Sequence, residues 1–170
     1  MANIHAAQAW DVTTGDASLV VADIDTGIDR SHPDLAANMW TNPGEIEGNG
    51  IDDDGNGYVD DIHGWDRAYG DNDPMDVHGH GTHTSGTVGA VGNNGVGVVG
   101  VNWNVKLMAL KFLNDSGSGS TSNAIAALNY AIAKGVKVSN NSWGGGSYSQ
   151  SLYDAINNAR LANHMERVLR

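Results

Sequence analysis

Apolar residues in this chain follow two rhythms. Ser18–Ile24 reads SLVVADI, a dense aliphatic run of strand length that leads straight into Asp25-Thr26-Gly27. Lys106–Phe112 (KLMALKF) and Val136–Ser142 (VKVSNNS) predict two further strands. Between these two the period lengthens. Over Thr121–Lys134, Ile125, Leu128 and Ile132 recur at three- and four-residue spacing, the stripe of a helix packed on one side, and Gly135 supplies its stop. Helices are also predicted over Ala6–Val12, over the small-residue stretch Gly81–Ala90, and from Tyr148 to about His164. Strands alternating with helices build a parallel sheet through right-handed crossovers, with helices on both faces, in the α/β class. Such sheets bind ligands beyond the carboxyl ends of their strands. Asp25 and Ser142 both fall at predicted strand ends.

The polar stretches change this picture in two places. Residues 41–61 form a Gly/Asn/Asp-rich loop, and Ser116–Ser120 (SGSGS) reads as a second loop, which composition alone would make a plain linker. Within the first, Asp52, Asp53, Asp54, Asp60 and Asp61 crowd into ten residues. Asp52, Asp54 and Asn56 alternate as oxygen ligands to calcium do, and Gly57 permits a sharp turn, although the closing glutamate of an EF-hand is absent. A merely solvated acidic surface is the plainer alternative.

Composition narrows the function. The chain has 170 residues, 40 % hydrophobic, enough for one domain with a core. Nine basic against 20 acidic residues give a net charge of −11, which argues against nucleic-acid binding. There is no cysteine, so neither a disulfide framework nor a thiolate zinc site can form. No apolar run reaches the ~18 residues that span a membrane. The first ten residues lack the apolar region of a signal peptide.

Three segments carry the chemistry: Asp25-Thr26-Gly27-Ile28-Asp29, His78-Gly79-His80-Gly81-Thr82-His83, and Asn140-Asn141-Ser142-Trp143-Gly144. Read alone, three histidines in six residues would also suit a metal. In this order and spacing the segments resemble the subtilase family of serine proteases, over roughly residues 6 to 164. The resemblance implies that Asp25 and His80 are the aspartate and histidine of a triad ordered Asp, His, Ser. It implies that Ser116, Gly117, Ser118 and Gly119 pair with a substrate backbone as an added strand, and that Ser142, Trp143 and Gly144 form the opposite cleft wall. It implies calcium, held in the acidic loop by Asp52, Asp54, Asn56, Tyr58, Asp60 and Asp61, and at a second site by Asp34 with Asn94. The parent protein would be secreted.

Two things depart from the pattern. The Ala-Gly-Asn and Gly-Thr-Ser-Met-Ala segments, which supply the oxyanion donor and the nucleophile, occur nowhere in this sequence. The expectation is therefore a single partial catalytic domain over residues 1–170, a truncated three-layer fold with little or no activity. A peptide- or calcium-binding module, or a hydrolase using a local serine such as Ser85 or Ser142, are the alternatives. Asp23 and His78 also stand where the family usually has an apolar residue and an asparagine. Met165–Arg170, with two arginines and a glutamate, reads poorly as a strand. That would leave Val136–Ser142 a bare sheet edge and favour self-association.

Overall fold

The computed structural model describes residues 4–162 and 165–168. Its elements are α1 (Ala6–Trp10), β1 (Gly15–Asp25), β2 (Gly64–Asp66), α2 (His80–Gly89), β3 (Asn104–Lys111), α3 (Thr121–Ala133), β4 (Val138–Asn141), α4 (Gln150–Leu161) and β5 (Met165–Val168). The strands form one parallel sheet in the order β2-β3-β1-β4-β5.

The period-two rule sorts the sheet's side chains into two cores. Ala22 and Ile24 of β1, with Met108 and Leu110 of β3, meet Ala124, Ala127, Leu128 and Ala131 of α3 and Ala155 and Ala159 of α4. On the opposite face, Val21, Leu107 and Ala109 pack with Val88 and Ala90 at the end of α2. Helices thus cover both faces, as the sequence pattern predicts. The same alternation puts Asp23 and Asp25 on the α2 side.

Local signals set the ends. Ser120 caps α3 by accepting from the Asn123 amide, and Ser149 caps α4 by accepting from Leu152. Gly135, at φ 74°, takes the left-handed conformation that ends α3. The final helix is shorter than predicted, and the last positions of that prediction, 163 and 164, lie outside the described residues.

The structure corrects one expectation. Met165–Val168 is a strand after all, paired in parallel with Val138–Asn141 residue for residue. The Met165 amide donates to Lys137 O at 2.6 Å. β4 is therefore an interior strand, and the sheet's edge on this side is β5. Backbone pairing needs only amides and carbonyls, so charged side chains do not forbid a strand at an edge.

Candidate active site

β1 ends with Asp25, wholly buried, and α2 begins with His80 directly above it. Asp25 Oδ1 lies 2.7 Å from His80 Nδ1 and also accepts the Thr26 amide at 2.7 Å. With Nδ1 engaged by the carboxylate, the imidazole presents Nε2 as its free nitrogen. The His80 side chain is 44 % exposed, so that nitrogen is open to solvent or substrate. The hydrogen bond to Asp25 raises the histidine's proton affinity. Partial burial opposes the rise, and the charges of Asp25, Asp23 and Asp76 add to it. The arrangement suits a general base held in one tautomer by its carboxylate.

The pair is assembled by close contact of α2 on β1. A Cβ on Gly81 would stand 2.2 Å from Gly27 O and 3.2 Å from Asp25 Cβ, so only glycine admits the helix at this distance. Thr26 stitches the contact: its Oγ1 accepts the Gly81 amide and donates to Asp76, both at 2.9 Å. Asp76 also accepts the amides of His78, Gly79 and Thr82 and the Thr82 hydroxyl, which fastens the start of α2. Burial works against ionisation of Asp76, but the donors from Thr82, Gly79 and Thr26 hold its carboxyl below the usual range. Beside Asp25, at the register position of β3, the buried Lys111 ammonium reaches Thr26 O at 2.8 Å and Asp115 at 2.9 Å.

Sequence reasoning missed Asp76 and Lys111 as supports. An aspartate four residues before His80 was a readable helix-start signal; nothing local marked Lys111.

The two expected peptide-binding segments face each other. Gly117, Ser118 and Gly119 stand opposite Trp143 and Gly144 across a groove of about 340 Å³ floored by Phe112 and Leu113. Ser116 and Ser142 do not line it. The first segment is not extended throughout: Asn114 accepts the Ser116 and Ser118 amides and donates to Ser118 O, which curls residues 114–118 into a turn. A larger apolar concavity, about 590 Å³, lies on the other flank of α2 between His83 and Val98, and neither Asp25 nor His80 lines it.

The acidic loop divides. Carboxylate oxygens of Asp52 and Asp54 lie within 4.8 Å of one another and of Glu45, which the sequence reading had not included. Three hard oxygen donors in a glycine-rich loop fit calcium. These three also brace the loop, Asp52 through the Asn56 and Gly57 amides, Glu45 through those of Asp53, Asp54 and Asp60, and Asp54 through Lys134, and the other expected ligands do so alone. Asp60 accepts the Asn49 and Gly50 amides. Asp61 accepts from Asn42, Asn56 and Tyr130. Asn56 also accepts the Tyr58 amide, and the Tyr58 hydroxyl accepts from Arg67. At the second expected site, Asp34 accepts from the Asn94 side chain and the Val98 amide, both at 2.8 Å, pinning that loop.

Known proteins resemble this chain in sequence and in fold. Residues 16–169 match the family model described as Subtilase family. The chain is 41 % identical over 150 residues to Subtilisin-like protease 1 of Plasmodium berghei (strain Anka), covering 88 % of this chain and 25 % of that protein. It is 34 % identical over 156 residues to thermitase of Thermoactinomyces vulgaris, covering 92 % and 48 %. A crystal structure of a cold adapted subtilisin-like serine proteinase superposes with a TM-score of 0.67 at 26 % identity, covering 91 % of this chain and 47 % of that one. The chain thus spans a quarter to a half of these relatives.

Proposed function

The chain belongs to the subtilase family of subtilisin-like proteases, and from that premise we propose that Asp25 and His80 are the acid–base part of a serine endopeptidase site. The observation that carries this reading is the 2.7 Å contact between Asp25 Oδ1 and His80 Nδ1. In the corresponding chemistry His80 Nε2 takes the proton from an attacking serine hydroxyl and returns it to the leaving amine, while Asp25 stabilises the imidazolium between those events. The groove between Gly117–Gly119 and Trp143–Gly144 receives the peptide.

These 170 residues contain no Gly-Thr-Ser-Met-Ala segment, so on their own they are expected to hydrolyse peptides weakly or not at all. The local serines do not fill the gap. Ser85 is fully buried and donates to Asp23, and Ser142 donates to Asn140. Neither is set up as a nucleophile. A second reading, a peptide- or calcium-binding module, is supported by a groove and a carboxylate cluster that are present without a nucleophile. Calcium would be held by Glu45, Asp52 and Asp54, where it supplies rigidity and not chemistry. Secretion of the parent protein is part of the proposal. Among the described residues, no helix is long and apolar enough to cross a membrane.

Nitrogen NMR of the His80 ring tests the pair. Protonated Nδ1 with unprotonated Nε2 is expected once the pH is above the range in which the ring titrates; the opposite tautomer overturns the assignment. A fluorophosphonate probe separates the readings of activity. No labelling, with Trp143 fluorescence responding to added peptide, fits the proposal. Labelling of one serine would establish a hydrolase with a local nucleophile.

A further inference from the structure

Asp23 is a buried acid outside the pair. It is 1 % exposed and sits two residues before Asp25 on the same, α2-facing side of β1. Its carboxylate gathers three side-chain donors from two other elements. Ser85 Oγ and Thr84 Oγ1 of α2 reach Oδ2 at 2.6 and 3.2 Å, and Asn140 Nδ2 of β4 reaches Oδ1 at 2.7 Å. Asn140 in turn accepts from Ser142 Oγ at 3.1 Å. One carboxylate therefore ties the strand that carries Asp25, the helix that carries His80, and the strand end that leads to Trp143. An apolar side chain here would avoid the cost of burying a carboxylate and would make none of these ties.

We propose that Asp23 is a positioning residue for the Asp25–His80 pair, clamping α2 and β4 to the strand that carries Asp25. The charges bearing on Asp23 are Asp25 on the same strand and His80 on α2, while Asp76, in the loop before α2, bears on His80. Its other neighbours, Thr84, Ser85, Asn140 and the register partner Ala109 on β3, are uncharged. Lys111 on β3 spends its ammonium on Thr26 O and Asp115. Burial and then the Asp25 charge push Asp23 up to about 7, against the donors of Asn140, Ser85 and Thr84.

The inference rests on reading Asp25 and His80 as a catalytic pair, but its test reads a proton and not hydrolysis. The His80 ring is titrated by NMR in the unmodified chain, in Asp23→Asn and in Ser85→Ala. Loss of a neighbouring negative charge in Asp23→Asn is expected to lower the proton affinity of His80 roughly three- to tenfold. Ser85→Ala removes the shortest bond to the anion and should shift His80 the same way by less. A residue that only filled the core would leave the titration in place. An unchanged His80 titration in the variants that fold overturns the proposal, and Ser85→Ala decides alone if Asp23→Asn does not fold. A histidine that titrates as free imidazole in the unmodified chain would instead sink the pair itself.

Discussion

Tyr130 Oη donates to Asp61 Oδ2 at 2.5 Å, in the buried seam between α3 and the acidic loop. Burial, and then the bond to Asp61 and its charge, push the phenol above its usual range, so the hydroxyl remains a donor at every relevant pH. Tyr130→Phe removes one of the donors to a buried carboxylate. The expected loss is about 1.5–3 kcal/mol of stability, the range for hydrogen bonds to charged groups. Urea denaturation checks it; a loss below about 0.5 kcal/mol would mean that Asn42, Asn56 and Lys134 suffice.

Calcium should raise the melting temperature through Glu45, Asp52 and Asp54. At a hundredfold excess over its dissociation constant the ion adds about 2.7 kcal/mol. Glu45→Gln and Asp52→Asn are expected to abolish the difference between chelator and added calcium. Asp60→Asn, which loosens the Asn49–Gly50 turn, should destabilise the chain under both conditions. A melting temperature indifferent to calcium contradicts the assignment.

Stability should peak at mildly acidic pH. His80 binds its proton more tightly when folded, chiefly through its bond to Asp25. Its contribution is therefore complete below the unfolded value of 6.5 and is lost as pH rises through the folded value. Asp23 is raised from 3.8 to about 7, chiefly by burial. Its ionisation penalty is absent below the unfolded value and complete above the folded one, so it acts in the same direction. Asp76 works oppositely. Its depressed carboxyl gives stability above 3.8 that is lost as pH falls through its folded value. Denaturation at a series of pH values should show a maximum between about 4 and 6 and a decline through 7 to 8. A profile still rising at pH 8 would refute the shifts of both Asp23 and His80.

Met165→Pro deletes the amide that bonds to Lys137 O. With β5 detached, β4 becomes the bare edge that the sequence alone suggested. The variant should lose hydrogen-exchange protection over Val138–Asn141 and associate with rising concentration in light scattering. If the unmodified chain associates just as strongly, β5 does not guard the sheet.

The central fold was readable because its elements carry their own signals. Apolar runs marked β1, β3 and β4, and Ile125, Leu128 and Ile132 marked α3. The two outer strands were not readable. β2 has three residues, Gly64–Asp66, too few to show a period, and β5 reads Met-Glu-Arg-Val, whose charges suggested loop. The pair Asp25–His80 was legible from its motifs. The Asp23 hub was legible only as an oddity, since its partners lie 61, 62 and 117 residues away. Glu45 was missed because it precedes the aspartate run, and the fold of the loop brings it back.

The contact of Gly81 on Gly27 O has a consequence for protein design. The relation between Asp25 and His80 depends on how near a helix can lie to a strand, and here that distance is set by a methyl group that is not there. Transplanting the two side chains to another α/β scaffold would therefore reproduce little unless the host also offers a helix whose second residue is glycine, seated on a carbonyl. In a saturation scan, position 81 should tolerate nothing, while Gly144, with open space where a Cβ would go, should accept small side chains freely.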